Sequence, residues 1–181
     1  MSDLMDSIKE RRSIRKYEQR PVPETELRQV LEAIRWAPSW ANTQCWEVLV
    51  VQDPEMKEKL QGTVPPKGNP AYGAVGQAPV VLVMCAKTKV SGYYKGAAST
   101  HLGDWMMYDL GLATQNLCLT AHHLGLGTVI MGVFDHAGAR DLLKVPQGFE
   151  PVTLIPLGYP AKVGGAPKRR ELQDFVHHDR W

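Results

Sequence analysis

The stretch "THLGDWMMYDLGLATQNLCLTAHHL", Thr100 to Leu124, contains no proline and predicts one helix of ~37 Å at 1.5 Å per residue. Leu102, Trp105, Met106, Leu110, Leu112, Ala113, Leu117, Leu119, Ala121 and Leu124 cover nearly every face of it. A helix apolar all round has to be covered on all sides, and in a chain of 181 residues one of those sides can call for a second subunit.

Working outward, the elements alternate between helix and strand. Ser2 is expected to cap a helix with Leu4, Met5 and Ile8 on one stripe, losing its pattern near Ser13. In "PVPETELRQVLEAIRWAPS", Pro23 opens a helix, Leu27, Val30, Leu31 and Ile34 follow the i, i+3, i+4, i+7 rule, and Pro38 stops it. "WEVLVV" (Trp46 to Val51) reads as a buried strand, and Asp53 with Pro54 caps a short helix through Leu60. The Pro- and Gly-rich run from Gly62 to Gln77 reads as a long loop, functional or mobile. "PVVLVMCA" (Pro79 to Ala86) is a second strand and Lys87 to Ser99 a second polar loop. "GLGTVIMGVF" predicts a glycine turn and a third strand, Asp135 caps "HAGARDLLK", and "PVTLIPLGYP" is a fourth strand. The last residues, "AKVGGAPKRRELQDFVHHDRW", show no period.

Composition bounds the function classes. With 44% hydrophobic and 22% charged residues, the chain has the proportions of one globular domain spanning 1–181. A net charge of +2 is too small to demand nucleic acid or an anionic membrane as partner. The opening "MSDLMDSIKERR" has no apolar h-region, and "PVVLVMCA" is far below the ~20 residues of a membrane span, so a cytoplasmic protein without membrane contact is expected. Cys45, Cys85 and Cys118, odd in number and set in apolar surroundings, suit reduced buried thiols.

Several familiar chemistries fail on spacing. Gly125, Gly127 and Gly132 do not make a dinucleotide fingerprint, because Ile130 stands where its third glycine belongs and a helix precedes the strand. Gly125 reads as a helix C-cap, while Gly127 and Gly132 can also mark close approach of a ligand to the backbone. The pairs His122/His123 and His177/His178 project ~100° apart on a helix, which argues against a metal. No G-x-S-x-G elbow marks a hydrolase, and no acid or base stands out as catalytic.

Two basic clusters remain, "ERRSIRKY" from Glu10 to Tyr17 and "KRR" from Lys168 to Arg170. Each alone fits a solvated surface as well as an anion site. The aromatic residues interleaved with cations that RNA recognition needs are missing.

Taken together, "RRSIRKY", "APSWANTQCWEVLVV", "YDLGLATQNLCLTAHHLGLGTVIMGVFD" and "LGYPAKVGGAPKRRELQDFVHHDRW" resemble the FMN-dependent nitroreductase family over nearly the whole chain. The resemblance implies an α+β fold, a three-layer α/β/α sandwich with a mixed sheet. It also implies an intertwined homodimer whose C-terminal segment, here 161–181, crosses to the partner. The implied cofactor is FMN, with NADH or NADPH as donor and a nitroaromatic, quinone or similar small molecule as acceptor, in a ping-pong cycle. A flavin-binding protein without turnover is the alternative. Arg11, Ser13 and Arg15 match the family's R-x-S-x-[KR] pattern. This implies Arg11 at the phosphate, Ser13 on the phosphate or ribityl chain, and Arg15 at the pyrimidine edge, with Arg12 a further candidate. Lys168 and Arg170 match a late K-x-R pair that also serves the phosphate.

Pro38, Ser39, Asn42 and Gln44 match P-S-x-x-N-x-Q, which implies contact with the ring and ribityl chain from the other protomer. The backbone of Ile130, Met131 and Gly132 is implied beside flavin N5. There are two departures from the pattern. Cys45 replaces a common proline, and Ala71 and Ala74 stand where an N-x-x-K pair would grip the uracil edge, leaving Lys67 or Asn69 for that task.

Overall fold

The computed structural model describes residues 4–181, so the expected Ser2 cap lies outside the described residues. Helix α1 (Leu4–Glu10) is followed by α2 (Glu24–Arg35), strand β1 (Trp46–Val51), α3 (Pro54–Gln61), α4 (Ala74–Gln77) and β2 (Val80–Lys87). Then come β3 (Tyr93–Tyr94), β4 (Ala97–Ala98), α5 (Met106–His123), β5 (Gly127–Thr128), α6 (His136–Leu143) and β6 (Phe149–Gly158). Strands pair in the order β1-β2-β6-β5, with β3 and β4 forming a separate hairpin. All these pairs are antiparallel. Among the described residues, the parallel component of the expected mixed sheet is the single bridge between Ser13 and Thr128.

Strand β2 shows why the fold has three layers. Val80, Leu82, Met84 and Ala86 point into one core with Leu27, Val30 and Ile34 of α2 and Leu110, Leu117 and Ala121 of α5. Val81, Val83 and Cys85 point into a second core with Leu60 of α3, Val75 of α4 and Ala139 of α6. The period of two divides one apolar run between two helical layers. Asp53 accepts from the Met56 amide at 2.7 Å and Asp135 from the Gly138 amide at 3.0 Å, the caps expected for α3 and α6.

Four expectations need correction. The helix predicted from Thr100 starts at Met106, because Gly103 adopts φ +75° and Asp104 turns back to accept from the Met106 amide at 3.0 Å. Strand β1 is an edge strand with Glu47 and Val50 exposed, since among the described residues it pairs only with β2. The Gly62–Gln77 loop ends in the packed turn α4, whose Ala74 and Val75 are fully buried and whose Gly76 amide donates to Gln61 Oε1. The polar loop after β2 carries the β3–β4 hairpin, with Lys95 and Gly96 both at positive φ as a type I′ turn requires.

Helix α5 ends in a Schellman motif. The Leu126 amide donates to Ala121 O at 2.8 Å and the Gly125 amide to His122 O at 3.0 Å, with Gly125 at φ +76°, so Gly125 serves as the expected cap. Gly127 has a different reason: a Cβ there would lie 2.4 Å from Ile14 Cγ1. Its bare backbone lets the segment after α1 dock on the sheet. Gly127→Ala should therefore lower the melting temperature by several degrees, as overpacking costs roughly 1–3 kcal/mol; a calorimetric scan matching the unsubstituted protein would show that Ile14 can move aside.

Candidate functional site

The segment after α1 runs alongside β5. Ile14 donates its amide to Thr128 O at 2.9 Å, the Ala161 amide donates to Lys16 O at 3.0 Å, and the Tyr17 hydroxyl donates to Ile14 O at 2.8 Å or Pro156 O at 3.0 Å. Ile14 and Tyr17 are buried while Arg15 is exposed and Arg11, Arg12 and Ser13 are half-buried. The apolar anchors hold the basic side chains at the surface.

Those side chains surround a cavity of about 310 Å³ lined by Arg11, Arg12, Ser13, Arg15 and, from the tail, Gly164, Gly165, Pro167 and Arg169. Four arginines line it, and among the described residues no carboxylate does. Among the described residues the ion pairs are Arg35 with Glu32 and Arg140 with Glu150, so none of the four is neutralised by a side chain. Arg12 donates to the carbonyls of Lys9 and Arg11, Arg15 to Ser13 O at 3.2 Å and Arg169 to Pro167 O at 3.1 Å. Like charges gathered in this way favour an anion. Lys168 and Arg170 do not line the cavity: Arg170 donates to Asp174 O and lies over the Phe175 ring. Arg169, between them, was not singled out from the sequence.

Arg15 also lines a second cavity, about 350 Å³, with Lys67, Asn69, Ala71 and the Val129–Val133 segment. Ile130, Met131 and Gly132 are therefore brought together with Arg15, Lys67 and Asn69. Met131 donates to and accepts from Leu154, at 3.0 and 2.9 Å. The amides of Ile130 and Gly132, like those of Val129 and Val133, donate no hydrogen bond among the described residues. Ala71 and Ala74 are buried.

Pro38, Ser39, Asn42 and Gln44 lie elsewhere in the chain; Asn42 and Gln44 line another cavity, with Arg35, Trp36 and Ala37. Ala41, Asn42 and Gln44 have φ of 44°, 56° and 47°. Left-handed backbone at such residues costs roughly 1–3 kcal/mol each, least for asparagine, and clusters at functional sites. Ser39 Oγ accepts from the Gln44 amide at 2.9 Å, and Gln44 Nε2 donates to Asn42 Oδ1 at 3.3 Å. Thr43 Oγ1 is buried with no hydrogen-bond partner among the described residues. The four guanidinium groups, the Ser13 hydroxyl and the uncommitted amides form a donor set that fits the phosphate-bearing cofactor implied by the resemblance.

The profile of the Nitroreductase family matches residues 8–159. The chain belongs to the nitroreductase family. A Methanothermobacter thermautotrophicus relative is 36% identical over 188 aligned positions, covering 99% of this chain and 88% of its own; its name pairs NADH dehydrogenase with NAD(P)H nitroreductase. The FMN reductase [NAD(P)H] of Bacillus subtilis is 32% identical, covering 98% of this chain and 74% of its own. Among solved structures, an FMN-dependent nitroreductase from Clostridium difficile R20291 superposes with TM-score 0.80 at 26% identity, covering 98% of this chain and 99% of its own. This likeness supports the nitroreductase fold described above.

Cys45, the departure from the family's proline, is a packed thiol. Burial, reinforced by the neighbouring Asp109 carboxylate, pushes it up to about 12 from an ordinary 9.0. Burial likewise pushes Cys85 to about 11 and raises Cys118 and the Tyr17 phenol. Unfolding restores the lower values, so above pH 9 the unfolded chain sheds these protons first and stability falls as pH rises. Alkaline titration followed by circular dichroism should show melting temperature declining from about pH 9 upward, with Cys45 unalkylated until unfolding; alkylation of Cys45 in the folded protein near neutral pH would contradict its burial.

Proposed function

We propose that the protein is an FMN-dependent oxidoreductase that takes hydride from NADH or NADPH and reduces nitroaromatic, quinone or similar electron-poor acceptors. The observation carrying this reading is the cavity lined by four arginines and, among the described residues, by no carboxylate, set on the residues that match the family's phosphate pattern. The FMN reductase and FMN-dependent nitroreductase among its relatives support the choice of cofactor. FMN bound there supplies two-electron chemistry: acceptance of hydride at N5 and its delivery to an acceptor. Arg11, Arg12, Ser13 and Arg169 hold the phosphate, with Lys168 and Arg170 beside them, and Arg15 reaches the pyrimidine end. Ile130 and Gly132 would offer backbone donors to the flavin ring. Donor and acceptor would then bind in turn, as a ping-pong cycle requires.

In this reading the site is shared by two protomers, with Pro38, Ser39, Asn42 and Gln44 supplied by the partner. Three features support a homodimer with an exchanged tail. Every residue from 161 to 181 is exposed, including Phe175, Val176 and Trp181. Leu4, Met5 and Ile8 of α1 are exposed as a group, and so are Met107 and Tyr108 on one flank of α5. The single domain 1–181 is then one half of a functional pair.

Comparing FMN with riboflavin, which lacks the phosphate, tests the phosphate grip. Arg11→Ala should weaken FMN by about tenfold to over a hundredfold, the worth of a charge-assisted hydrogen bond, and riboflavin hardly at all. Equal losses for both ligands would refute the assignment. A protein that takes up neither would refute the function.

Arg15 generates a different expectation. Negative charge gathers at the N1 and O2 end of a reduced flavin, so a guanidinium there favours reduction. Arg15→Ala should keep much of its FMN and lower the two-electron potential, by ~30 mV for each 1.4 kcal/mol lost. A redox titration giving the same potential with FMN still bound would remove Arg15 from the ring.

A further inference from the structure

Asp109 lies in the first turn of α5 and is only 1% exposed. An acidic side chain there benefits from the positive end of the helix dipole, yet a carboxylate without contact to solvent needs further reason to be retained. Its partners supply one. Oδ1 accepts from the Trp40 amide at 3.0 Å, and Oδ2 accepts from the Ser91 hydroxyl at 2.6 Å and the Cys45 thiol at 3.7 Å. Trp40 and Cys45 bracket the three residues held at positive φ, Ala41, Asn42 and Gln44. The Trp40 ring is also packed 5.0 Å from that of Trp105, which caps α5, and the Trp105 amide donates to Ser91 O at 3.1 Å.

We propose that Asp109 is a positioning residue for the flavin site: its carboxylate clamps both ends of the Trp40–Cys45 segment and so holds Asn42 and Gln44 in the geometry that meets the cofactor. The inference rests on the reading that this segment faces FMN. Backbone in a strained conformation persists only where its surroundings over-determine it. One end fixed by a side-chain contact would leave the other free to relax; a carboxylate with two oxygens fixes both. An amide does not reproduce this: with its nitrogen facing the Trp40 amide two donors meet, and with its nitrogen facing Ser91 and Cys45 those groups must reverse to accept, which a thiol does only weakly.

Asp109→Asn keeps the volume and breaks one side of the clamp. In the dimeric protein, the variant should bind FMN about tenfold or more weakly. Amide exchange across Trp40 to Cys45 should accelerate by a similar factor. Asn42→Ala should weaken FMN in the parent and add less than about twofold in the Asp109→Asn background, because Asn42 is no longer placed. A role confined to stability predicts otherwise: lower melting temperature, FMN affinity unchanged in the folded protein, and Asn42→Ala losing its full factor in both backgrounds. Either that affinity or that additivity overturns the proposal. If Asp109→Asn fails to fold, Ser91→Ala removes one donor from Oδ2 at the side remote from the loop. It should speed exchange at Ala41 to Gln44 and weaken FMN, and unchanged values for both overturn the proposal. A parent protein that binds no FMN overturns the flavin reading and this inference with it; a parent that binds FMN beside an indifferent variant overturns the inference alone.

Discussion

Strand Val80–Lys87 is apolar on both faces, and each face requires its own helical cover. Burying one Val or Leu side chain stabilises by roughly 1.5–3 kcal/mol, and this strand places four apolar residues on one side and three on the other. Neither helical layer can be given up without exposing a row of them. The central pairs of the sheet are long in consequence, whereas β5 at its edge has only Gly127 and Thr128. That short edge leaves Thr128 free to pair with Ser13, and Ile14 to sit over Gly127. With the bonds of Lys16 and Tyr17 to the end of β6 and beyond, these contacts attach the basic segment to the core, and its charges stay outside.

The attachment has an electrostatic consequence. Arg11, Arg12, Arg15 and Arg169 would repel one another along a flexible chain and separate. Ile14 and Tyr17 prevent this for the first three by fixing the backbone from the buried side. An anion entering the cavity meets charges already gathered, so little ordering remains to oppose binding. The same neighbourhood explains why one arginine can serve two regions, since Arg15 lines both the arginine cavity and that of Lys67, Asn69 and Ile130.

How much of this was legible in the sequence depended on whether a feature repeats. Helix α2 announces itself through Leu27, Val30 and Ile34, and β2 through an unbroken apolar run, because burial recurs at fixed spacing. Asp53 and Asp135 were legible as caps because a helix start constrains one residue type at one place. The start of α5 was not, as Leu102 and Trp105 continue an apolar pattern across a turn made by Gly103 and Asp104. The arginine cluster was visible as composition, but the lining by Arg169 in place of its neighbours depends on how the tail turns. Asp109 carried no signal at all. One acidic residue in an apolar helix reads as a solvent-facing position until its three donors, contributed by segments far apart in sequence, are seen together. Positive φ at Ala41 and Gln44 was equally silent, since neither residue type advertises a left-handed backbone.

The arginine cavity and the Trp40–Cys45 loop meet the fold in different ways, and α5 links them. Its C-terminal cap delivers Leu126, Gly127 and Thr128 to the sheet edge where the basic segment docks. Its N-terminal turn carries Asp109 on the buried side and Met107 and Tyr108 on the exposed side. Tyr108 packs edge-on against Trp105, whose ring in turn contacts Trp40 at the start of the strained loop. A surface that covers Met107 and Tyr108 therefore presses on the same aromatic chain that supports the loop. Tyr108 is thus joined to the loop through rings already in contact, along a route that includes no strand of the sheet.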